Sequence, residues 1–297
     1  MIVGCPKEIK KHEYRVGLVP SSVRELTDRG HQVVVETSLG EGINFTDDDY
    51  REAGADILAS AKDVFDKADM IVKVKEPQST EYGLLRENQV LFTYLHLAAD
   101  KKQAEGLVDS GCVAIAYETV TDRQGRLPLL APMSEIAGRL SVQVGAHHLQ
   151  KHCGGTGRLV GGVPGVLSSK VLIIGGGVSG FHAARMATGM EANVTILERN
   201  PDRMRFLDDY FAGRAEVVYS NKDTLERFVQ DVDIVIGAVL IPGASAPQLI
   251  TKDMLKTMIP GTVIVDVAID QGGCFETSKP TTHDNPTYVV DNVVHYC

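Results

Sequence analysis

The sequence predicts an α/β fold of two doubly wound domains, each a parallel β-sheet flanked by helices, with a cleft between the domains. Two observations lead to this prediction. Apolar, β-branched runs of strand length alternate with helical patterns along most of the chain, and this order of elements builds parallel sheets covered by helices. The length of 297 residues suits two domains. The pattern predicts a boundary between residues 1–128 and residues 129–297.

The first half alternates short strands and helices that have recognisable starts and stops. Pro20 suits a first helical turn that runs to a stop at Gly30, and Thr46 before three aspartates is typical of an N-cap. Further helices are predicted at residues 60–68 and 100–110. The predicted strands are residues 2–5, 32–36, 70–75, 90–95 and 113–117.

The second half begins with a long helical stretch from Pro132 to about Lys151, which we interpret as the connector between the domains. Ser134 is placed to cap this helix or to face a ligand. Strands are predicted near residues 171–174, 194–197, 215–218, 233–239 and 262–266. Two β stretches around the turn Asp291-Asn292 are predicted at the end of the chain.

A glycine motif identifies a ligand of the second half. Gly175, Gly177 and Gly180 follow a buried strand at G-x-G-x-x-G spacing and open a helix, and Glu198 ends the next strand. Glycine allows the tight turn and the close approach of a pyrophosphate, and an acid about 20 residues later can hold the ribose hydroxyls. The pattern predicts a Rossmann-like dinucleotide-binding domain. The first half lacks the motif and is therefore the predicted substrate domain.

Composition excludes several kinds of partner. The formal net charge of −9 argues against nucleic acid or an anionic membrane surface. No apolar run approaches the roughly 20 residues that a membrane span needs. Five scattered cysteines form no C-x-x-C pair and predict neither a disulfide framework nor a zinc site. We expect a soluble, cytoplasmic protein.

Charged residues at the predicted carboxyl ends of strands are candidates for catalysis. Lys75 ends a buried strand, where it can meet an anionic substrate or simply extend to solvent, and Lys73 ranks below it. His96 follows the next strand and suits general acid–base catalysis or a structural role. Arg15 can bind a carboxylate through two hydrogen bonds, although a surface arginine is the commoner case.

Two aspartates follow the last strong strand of the second half. Asp266 and Asp270 lie near its carboxyl end, so one of them is expected to face the nicotinamide side of the cleft. The alternative is a turn aspartate before Gly272-Gly273.

A histidine-rich helix end raises the question of a metal. His148 and His152 are four residues apart, with His147 and Cys153 beside them, but no glutamate completes an H-E-x-x-H motif. The sequence favours solvent-facing polar residues, so no metal site is predicted.

These pieces resemble one family along nearly the whole chain. The chain is similar to alanine dehydrogenases; the α subunit of proton-translocating transhydrogenase and the saccharopine dehydrogenases share the architecture, but the Lys75 and His96 blocks favour alanine dehydrogenase. The resemblance rests on the following blocks: Gly4-Cys5-Pro6-Lys7-Glu8, Arg15-Val16-Gly17-Leu18-Val19-Pro20, Val72-Lys73-Val74-Lys75-Glu76-Pro77, Tyr94-Leu95-His96-Leu97-Ala98, Met133-Ser134-Glu135-Ile136-Ala137-Gly138-Arg139, Gly161-Gly162-Val163-Pro164-Gly165 and Asp266-Val267-Ala268-Ile269-Asp270-Gln271-Gly272-Gly273.

The resemblance implies a function for each candidate. Arg15 and Lys75 would bind the substrate's carboxylate and oxo group, His96 would be the general acid–base, and Asp270 would assist proton transfer. The implied reaction is the reversible conversion of L-alanine, NAD and water to pyruvate, ammonium and NADH, in a homohexamer. Besides the glycines, the implied cofactor residues are Ser134, Val178, Glu198, Arg203, Ser220, Val239, Leu240, Val267, Ala268, Ile269, Asp270 and Lys279.

Two departures from the family pattern matter. Glu198 stands where the family usually has aspartate, which keeps the acid and therefore favours NAD over NADP. Family members also continue beyond His295-Tyr296-Cys297, so we expect that a C-terminal segment is missing here. The alternatives are a non-catalytic or transhydrogenase-like NAD(H)-binding module, and a dehydrogenase for another small amino acid.

Overall fold

The structure is a computed structural model, and it describes residues 1–97, 100–239 and 246–297. The chain divides into two compact units, Met1–Leu130 and Ala131–Cys297. Compactness does not assign a function to either unit, so the functional division at residue 128 stays a prediction.

The N-terminal unit contains a six-stranded sheet in the order β3-β2-β1-β4-β5-β6, and every neighbouring pair is parallel. This order is that of a doubly wound sheet. β3 is absent from the sequence prediction because it is short and only its first residue is buried. The strands are β1 (Ile2–Cys5), β2 (Gln32–Glu36), β3 (Ala55–Leu58), β4 (Met70–Val72), β5 (Val90–Thr93) and β6 (Val113–Ala116).

The strands β4 and β5 end at least two residues earlier than predicted, for the same physical reason. Beyond β4, the backbone N–H groups of Val74 and Lys75 donate to the carboxylate of Glu8. Beyond β5, the N–H groups of Leu95 and His96 donate to a carboxylate as well. Carboxylate oxygens therefore take the place of strand partners for these four N–H groups at the carboxyl ends, and a hydrophobic pattern cannot signal the change.

The helices of this unit begin and end where polar residues predict. Thr46 forms a capping box with Asp49, Ser60 accepts from Asp63, and Asp100 accepts two backbone N–H groups. Gly111 ends its helix with φ of +65°, a conformation that favours glycine. The helices are α1 (Pro20–Thr27), α2 (Asp47–Glu52), α3 (Ala61–Lys67) and α4 (Lys101–Ser110).

The C-terminal unit contains a seven-stranded sheet in the order β12-β13-β11-β10-β7-β8-β9, in which only the β12–β13 pair is antiparallel. The two-residue turn of that pair has positive φ at Asp291 and Asn292, as a type I′ turn requires. The strands are β7 (Lys170–Ile174), β8 (Asn193–Glu198), β9 (Glu216–Tyr219), β10 (Ile234–Gly237), β11 (Val263–Asp266), β12 (Thr287–Val290) and β13 (Val293–Tyr296).

Helices cover both faces of this sheet. Val171 and Ile173 of β7 enter one hydrophobic core, while Leu172 and Ile174 enter the other, which explains the continuous apolar run in the sequence. The helices are α5 (Ala131–His148), α6 (Val178–Gly189), α7 (Pro201–Phe211), α8 (Lys222–Phe228) and α9 (Lys252–Leu255). Among the residues described, no helix is both long enough and apolar enough to cross a bilayer. The predicted α/β class with parallel sheets is confirmed in both units.

Candidate active site

The glycine motif forms the connection between β7 and α6. Gly175 has φ of +96°, and a Cβ on Gly180 would lie 1.8 Å from the carbonyl oxygen of Gly175. A Cβ on Gly177 would meet nothing within 4 Å. The first and third glycines therefore serve the turn and the close packing of α6, while the second leaves space beside the helix N-terminus. This cradle fits a pyrophosphate.

Glu198 ends β8 and closes the glycine loop from the side. Its Oε2 accepts from the Gly176 N–H at 2.8 Å, and its Oε1 accepts from the Arg199 and Asn200 N–H groups at 2.6 and 2.9 Å. A carboxylate has about four lone-pair positions, so acceptor capacity remains for a ribose hydroxyl. Arg203 donates from Nε to the Gly176 carbonyl at 2.6 Å, which fixes the loop from its other side.

The other predicted cofactor residues of this unit follow the carboxyl ends of strands or begin helices. Ser220 is buried directly after β9, Val239 follows β10, and Val178 is an exposed first residue of α6. Ser134 is the fourth residue of α5, so its predicted alternative as an N-cap is wrong. Lys279 lies with Nζ 4.2 Å from the centre of the Tyr288 ring. Leu240 lies outside the described residues.

The two aspartates after β11 differ sharply. Asp266 is buried and accepts from the N–H groups of Ala268 and Cys274 and from the Ser278 hydroxyl. Burial raises its pKa despite these bonds. Asp270 is exposed on the 3-10 turn that follows Val267 and Ala268. Asp266 therefore shapes this loop, and Asp270 is the aspartate available to a ligand.

In the N-terminal unit, Arg15 lies in the long connection between β1 and α1. Its Nε donates to Oε1 of Glu13 at 2.8 Å, and its backbone N–H donates to the same oxygen at 3.0 Å. Burial alone would raise the pKa of Glu13, but the bonds and charge of Arg15, together with the charge of Lys75, lower it. Glu13 therefore carries a negative charge that orients Arg15 near Lys75.

The two lysines after β4 have different surroundings. Lys73 is fully buried, with Nζ 2.8 Å from Glu81 and 3.3 Å from Glu8. Burial opposes its charge, but the two carboxylates outweigh burial and raise the pKa of Lys73. This lysine is a structural ion-pair partner. Lys75 is half-buried. Burial alone would raise the pKa of the neighbouring Glu76 carboxyl, but the bond and charge of Lys10 and the smaller effect of the Lys75 charge lower it.

His96 is held in an unusual backbone conformation. Its φ is +49°, which costs a non-glycine residue roughly 1–2 kcal/mol. Oε1 of Glu118 accepts from the His96 N–H at 2.7 Å and from the Leu95 N–H at 3.1 Å. The imidazole stacks on Tyr94 with ring centres 6.0 Å apart, and the Arg15 charge acts on the same tyrosine. Tyr94 is therefore a common neighbour of Arg15 and His96.

Sequence reasoning missed the groups that orient these side chains. Glu13, Tyr94 and Glu118 were not among the candidates, although Glu118 follows β6 at the same sheet edge as His96. The carboxyl-end rule that selected Lys75 would also have selected Glu118. Glu13 has no comparable signal, because its role depends on how a loop folds.

Comparison with known proteins identifies the family. Residues 4–137 match "Alanine dehydrogenase/PNT, N-terminal domain", and residues 141–297 match "Alanine dehydrogenase/PNT, C-terminal domain". The chain belongs to the alanine dehydrogenase/PNT family. The predicted family resemblance is confirmed.

Curated relatives and solved structures agree with this assignment. Alanine dehydrogenases of Halomonas elongata and Mycobacterium tuberculosis are 58% and 52% identical over 297 residues, all of this chain and 80% of each relative. A solved L-alanine dehydrogenase has 53% identity and a TM-score of 0.95, covering 100% of this chain and 82% of its own. The solved transhydrogenase of Sinorhizobium meliloti has 26% identity and a TM-score of 0.84, and the match covers 100% of this chain and 85% of the transhydrogenase chain.

Proposed function

We propose that this member of the alanine dehydrogenase/PNT family is an NAD-dependent L-alanine dehydrogenase. The net reaction converts L-alanine, NAD⁺ and water to pyruvate, ammonium, NADH and a proton. The observation that carries the proposal is the cluster of charged groups around Tyr94: the His96 imidazole stacks on its ring, and the Arg15 charge opposes the rise that burial causes in its pKa. The charge of Lys75 lowers the pKa of Glu13, the partner of Arg15. The C-terminal unit of the same chain contains the glycine loop that fits a pyrophosphate.

In this proposal, Arg15 binds the substrate carboxylate. Glu13 accepts from Nε and Nη2 of Arg15, and this fixed carboxylate orients the planar guanidinium. A guanidinium is the side chain best suited to bind a carboxylate through paired hydrogen bonds. Lys75 binds the oxo group of pyruvate, where its positive charge favours the developing negative charge on oxygen.

His96 acts as the general acid–base. During deamination, its imidazole accepts a proton from the water that attacks the imino carbon, and in the reverse direction it returns that proton to the departing hydroxyl. NAD, when bound, accepts the hydride that leaves the α-carbon of alanine. Glu118 holds the His96 backbone, and exposed Asp270 assists proton transfer at the reacting carbon.

The cofactor would be held by the glycine loop and the strand ends around it. The N-terminus of α6 receives the pyrophosphate and Glu198 the ribose hydroxyls, with Val178, Arg203, Ser220, Val239, residues 267–270, Ser134 and Lys279 completing the contacts. Glu198 would repel a 2′-phosphate, so we expect a preference for NAD. Turnover with NADP comparable to that with NAD would refute this preference.

The deciding experiment is an NADH-oxidation assay with the substrates supplied singly and together. Oxidation should require both pyruvate and ammonium. NADH binding without this turnover would favour the transhydrogenase-like alternative, which the structural similarity to a transhydrogenase keeps relevant. A panel of small 2-oxo acids tests the substrate's side chain. Light scattering tests the hexamer that the family resemblance implies. Cell fractionation tests the expected cytoplasmic location.

A further inference from the structure

The C-terminal end of α5 and the turn after it bring together three metal-ligating side chains. One ligand atom each of His147, His148 and Cys153 lies within 4.8 Å of the other two. Nε2 of His147 is 3.8 Å from Sγ of Cys153. All three residues belong to the C-terminal unit, and none of them is among the residues assigned above to substrate or cofactor.

Two glycines create this geometry. The 3-10 turn Lys151–Cys153 ends at Gly154, which has φ of +90°. A Cβ on Gly155 would lie 2.3 Å from the Leu149 carbonyl carbon and oxygen, and 2.4 Å from the His148 oxygen. Only glycine lets the chain fold back this closely onto the end of α5. The turn before these glycines, closed by the bond from the Cys153 N–H to the Gln150 carbonyl, places Cys153 beside His147, and the two glycines hold that turn against the helix end.

His148 is the member of the cluster that sequence reasoning misplaced. It was expected to face solvent, but only 9% of the residue is exposed. Within the described part of the chain, its buried Nδ1 has no hydrogen-bond partner. Leaving such an atom unsatisfied costs about 1–3 kcal/mol, so a cation bound at this nitrogen would be favoured.

The donor set selects the kind of ion. Two imidazole nitrogens and a thiolate are typical ligands of Zn²⁺, and they disfavour Mg²⁺ and Ca²⁺, which prefer oxygen. Zn–N and Zn–S bonds of about 2.0–2.3 Å in a tetrahedron separate neighbouring ligand atoms by roughly 3.4–3.6 Å. The 3.8 Å between His147 and Cys153 is close to this spacing. The three ligand atoms already lie within 4.8 Å of one another, so side-chain rotations on the scale of about 1 Å would bring them to this spacing.

We propose that His147, His148 and Cys153 bind a zinc-type divalent cation, with water as the fourth ligand. Binding releases the Cys153 thiol proton to solvent, so the coordinating sulfur is a thiolate. The site is separate from the proposed dehydrogenase chemistry, and its test does not depend on turnover.

The first test is a Zn²⁺ titration of the full, metal-stripped chain against a chromogenic chelator. We expect one tight equivalent, and a loss of affinity of about tenfold or more in Cys153→Ser and in His147→Gln. Matched controls are Cys112→Ser and His283→Gln, which should bind as the unaltered chain does. With Co²⁺ as the probe, a thiolate charge-transfer absorption should appear and should vanish in Cys153→Ser. Equal Zn²⁺ affinity in Cys153→Ser and the unaltered chain would overturn the proposal.

The second test needs no substitution. Iodoacetamide labelling of the native chain, followed by peptide mass spectrometry, compares Cys153 with Cys112, since both are partly exposed. Added Zn²⁺ should slow the alkylation of Cys153 at least about tenfold and leave Cys112 unchanged, because a metal-bound thiolate is sequestered. Equal rates for Cys153 with and without Zn²⁺ would contradict the proposal even if a variant failed to fold.

Discussion

The first five strands of each unit follow the same order in their sheets, but the two units differ in the connection that follows the first strand. In the C-terminal unit, three glycines lead directly from β7 into α6. In the N-terminal unit, residues 6–19 separate β1 from α1, and this longer connection carries Glu8, Glu13 and Arg15. One connection exposes backbone to a ligand, while the other supplies charged side chains.

This difference shows that two separate features determine where a ligand binds and which ligand binds. Parallel sheets of this kind collect ligands at the carboxyl ends of their strands, whatever the sequence. The glycine connection suits a pyrophosphate, which is recognised by N–H groups and a helix N-terminus. The charged connection suits a small carboxylate, which Arg15 can bind through paired hydrogen bonds.

The largest expected effect is a loss of turnover without a loss of cofactor binding when His96 is replaced. His96→Gln should lower kcat by about 10²–10⁴-fold, because glutamine cannot transfer the proton. The dissociation constant for NADH, measured by fluorescence, should not change. His283→Gln is the control for removal of an exposed histidine. Near-normal turnover in His96→Gln would remove His96 from the mechanism.

The next effect concerns the packing of the glycine loop. Gly180→Ala would place a methyl group 1.8 Å from the Gly175 carbonyl oxygen, so α6 must move. We expect a loss of about 1–3 kcal/mol in unfolding free energy, together with weaker NADH binding. Calorimetry and NADH titration measure the two losses.

Gly189→Ala is the matched control in the same helix. A Cβ at Gly189 would meet nothing within 4 Å, so alanine should leave NADH affinity unchanged and raise stability by up to about 1 kcal/mol. If both alanine variants bind NADH equally, the glycine cradle does not hold the cofactor.

The sequence predicted elements that have local signals. Thr46, Ser60 and Asp100 mark helix starts, and the run at residues 171–174 marks a strand buried on both faces. It did not predict where β4 and β5 end, because distant carboxylates terminate them. Lys73 and Lys75 look alike in the sequence, and only the positions of Glu8 and Glu81 distinguish the buried ion pair from the half-buried lysine.

A smaller effect should follow from the support of His96. Glu118→Ala would leave the N–H groups of Leu95 and His96 without their carboxylate, so the backbone of His96 would relax from φ of +49°. We expect kcat to fall about tenfold, corresponding to roughly 1.4 kcal/mol. Glu118→Gln keeps one acceptor oxygen and should recover part of the rate. A merely structural role would lower stability in both variants without this recovery of kcat.

The smallest effect compares the two units through pH. His295 is buried, with Nδ1 3.0 Å from the Val293 carbonyl and Nε2 2.8 Å from the Thr277 hydroxyl. Burial lowers its pKa, and the charge of Lys279 acts in the same direction. Below pH about 6.5 this histidine takes up a proton in the unfolded chain but stays neutral in the folded chain. The unfolding free energy therefore decreases as the pH decreases, until the lowered pKa of the folded state is reached.

Glu8 in the N-terminal unit acts in the opposite direction. Burial raises its pKa, so the folded state binds a proton more readily and gains stability relative to the unfolded state as the pH falls through that pKa. Asp266 is the corresponding buried acid of the C-terminal unit, and burial raises its pKa as well, so the two acids act alike in their own units. The lowered pKa of His295 should therefore make the C-terminal unit weaken more than the N-terminal unit between pH 7 and 5. The share of His295 cannot exceed about 1.4 kcal/mol per pH unit.

One buried cysteine in each unit can report this difference. Burial raises the pKa of Cys5 and of Cys274 to about 12, so each thiol reacts only when its unit opens. The labelling rate of Cys274 relative to Cys5, normalised to the denatured chain, should rise as the pH falls from 7 to 5. His295→Gln should flatten this rise, because glutamine has no proton to gain in this range. If the ratio of the Cys274 rate to the Cys5 rate does not depend on pH in the unaltered chain, the buried His295 and the buried Glu8 do not make the stabilities of the two units differ between pH 7 and 5.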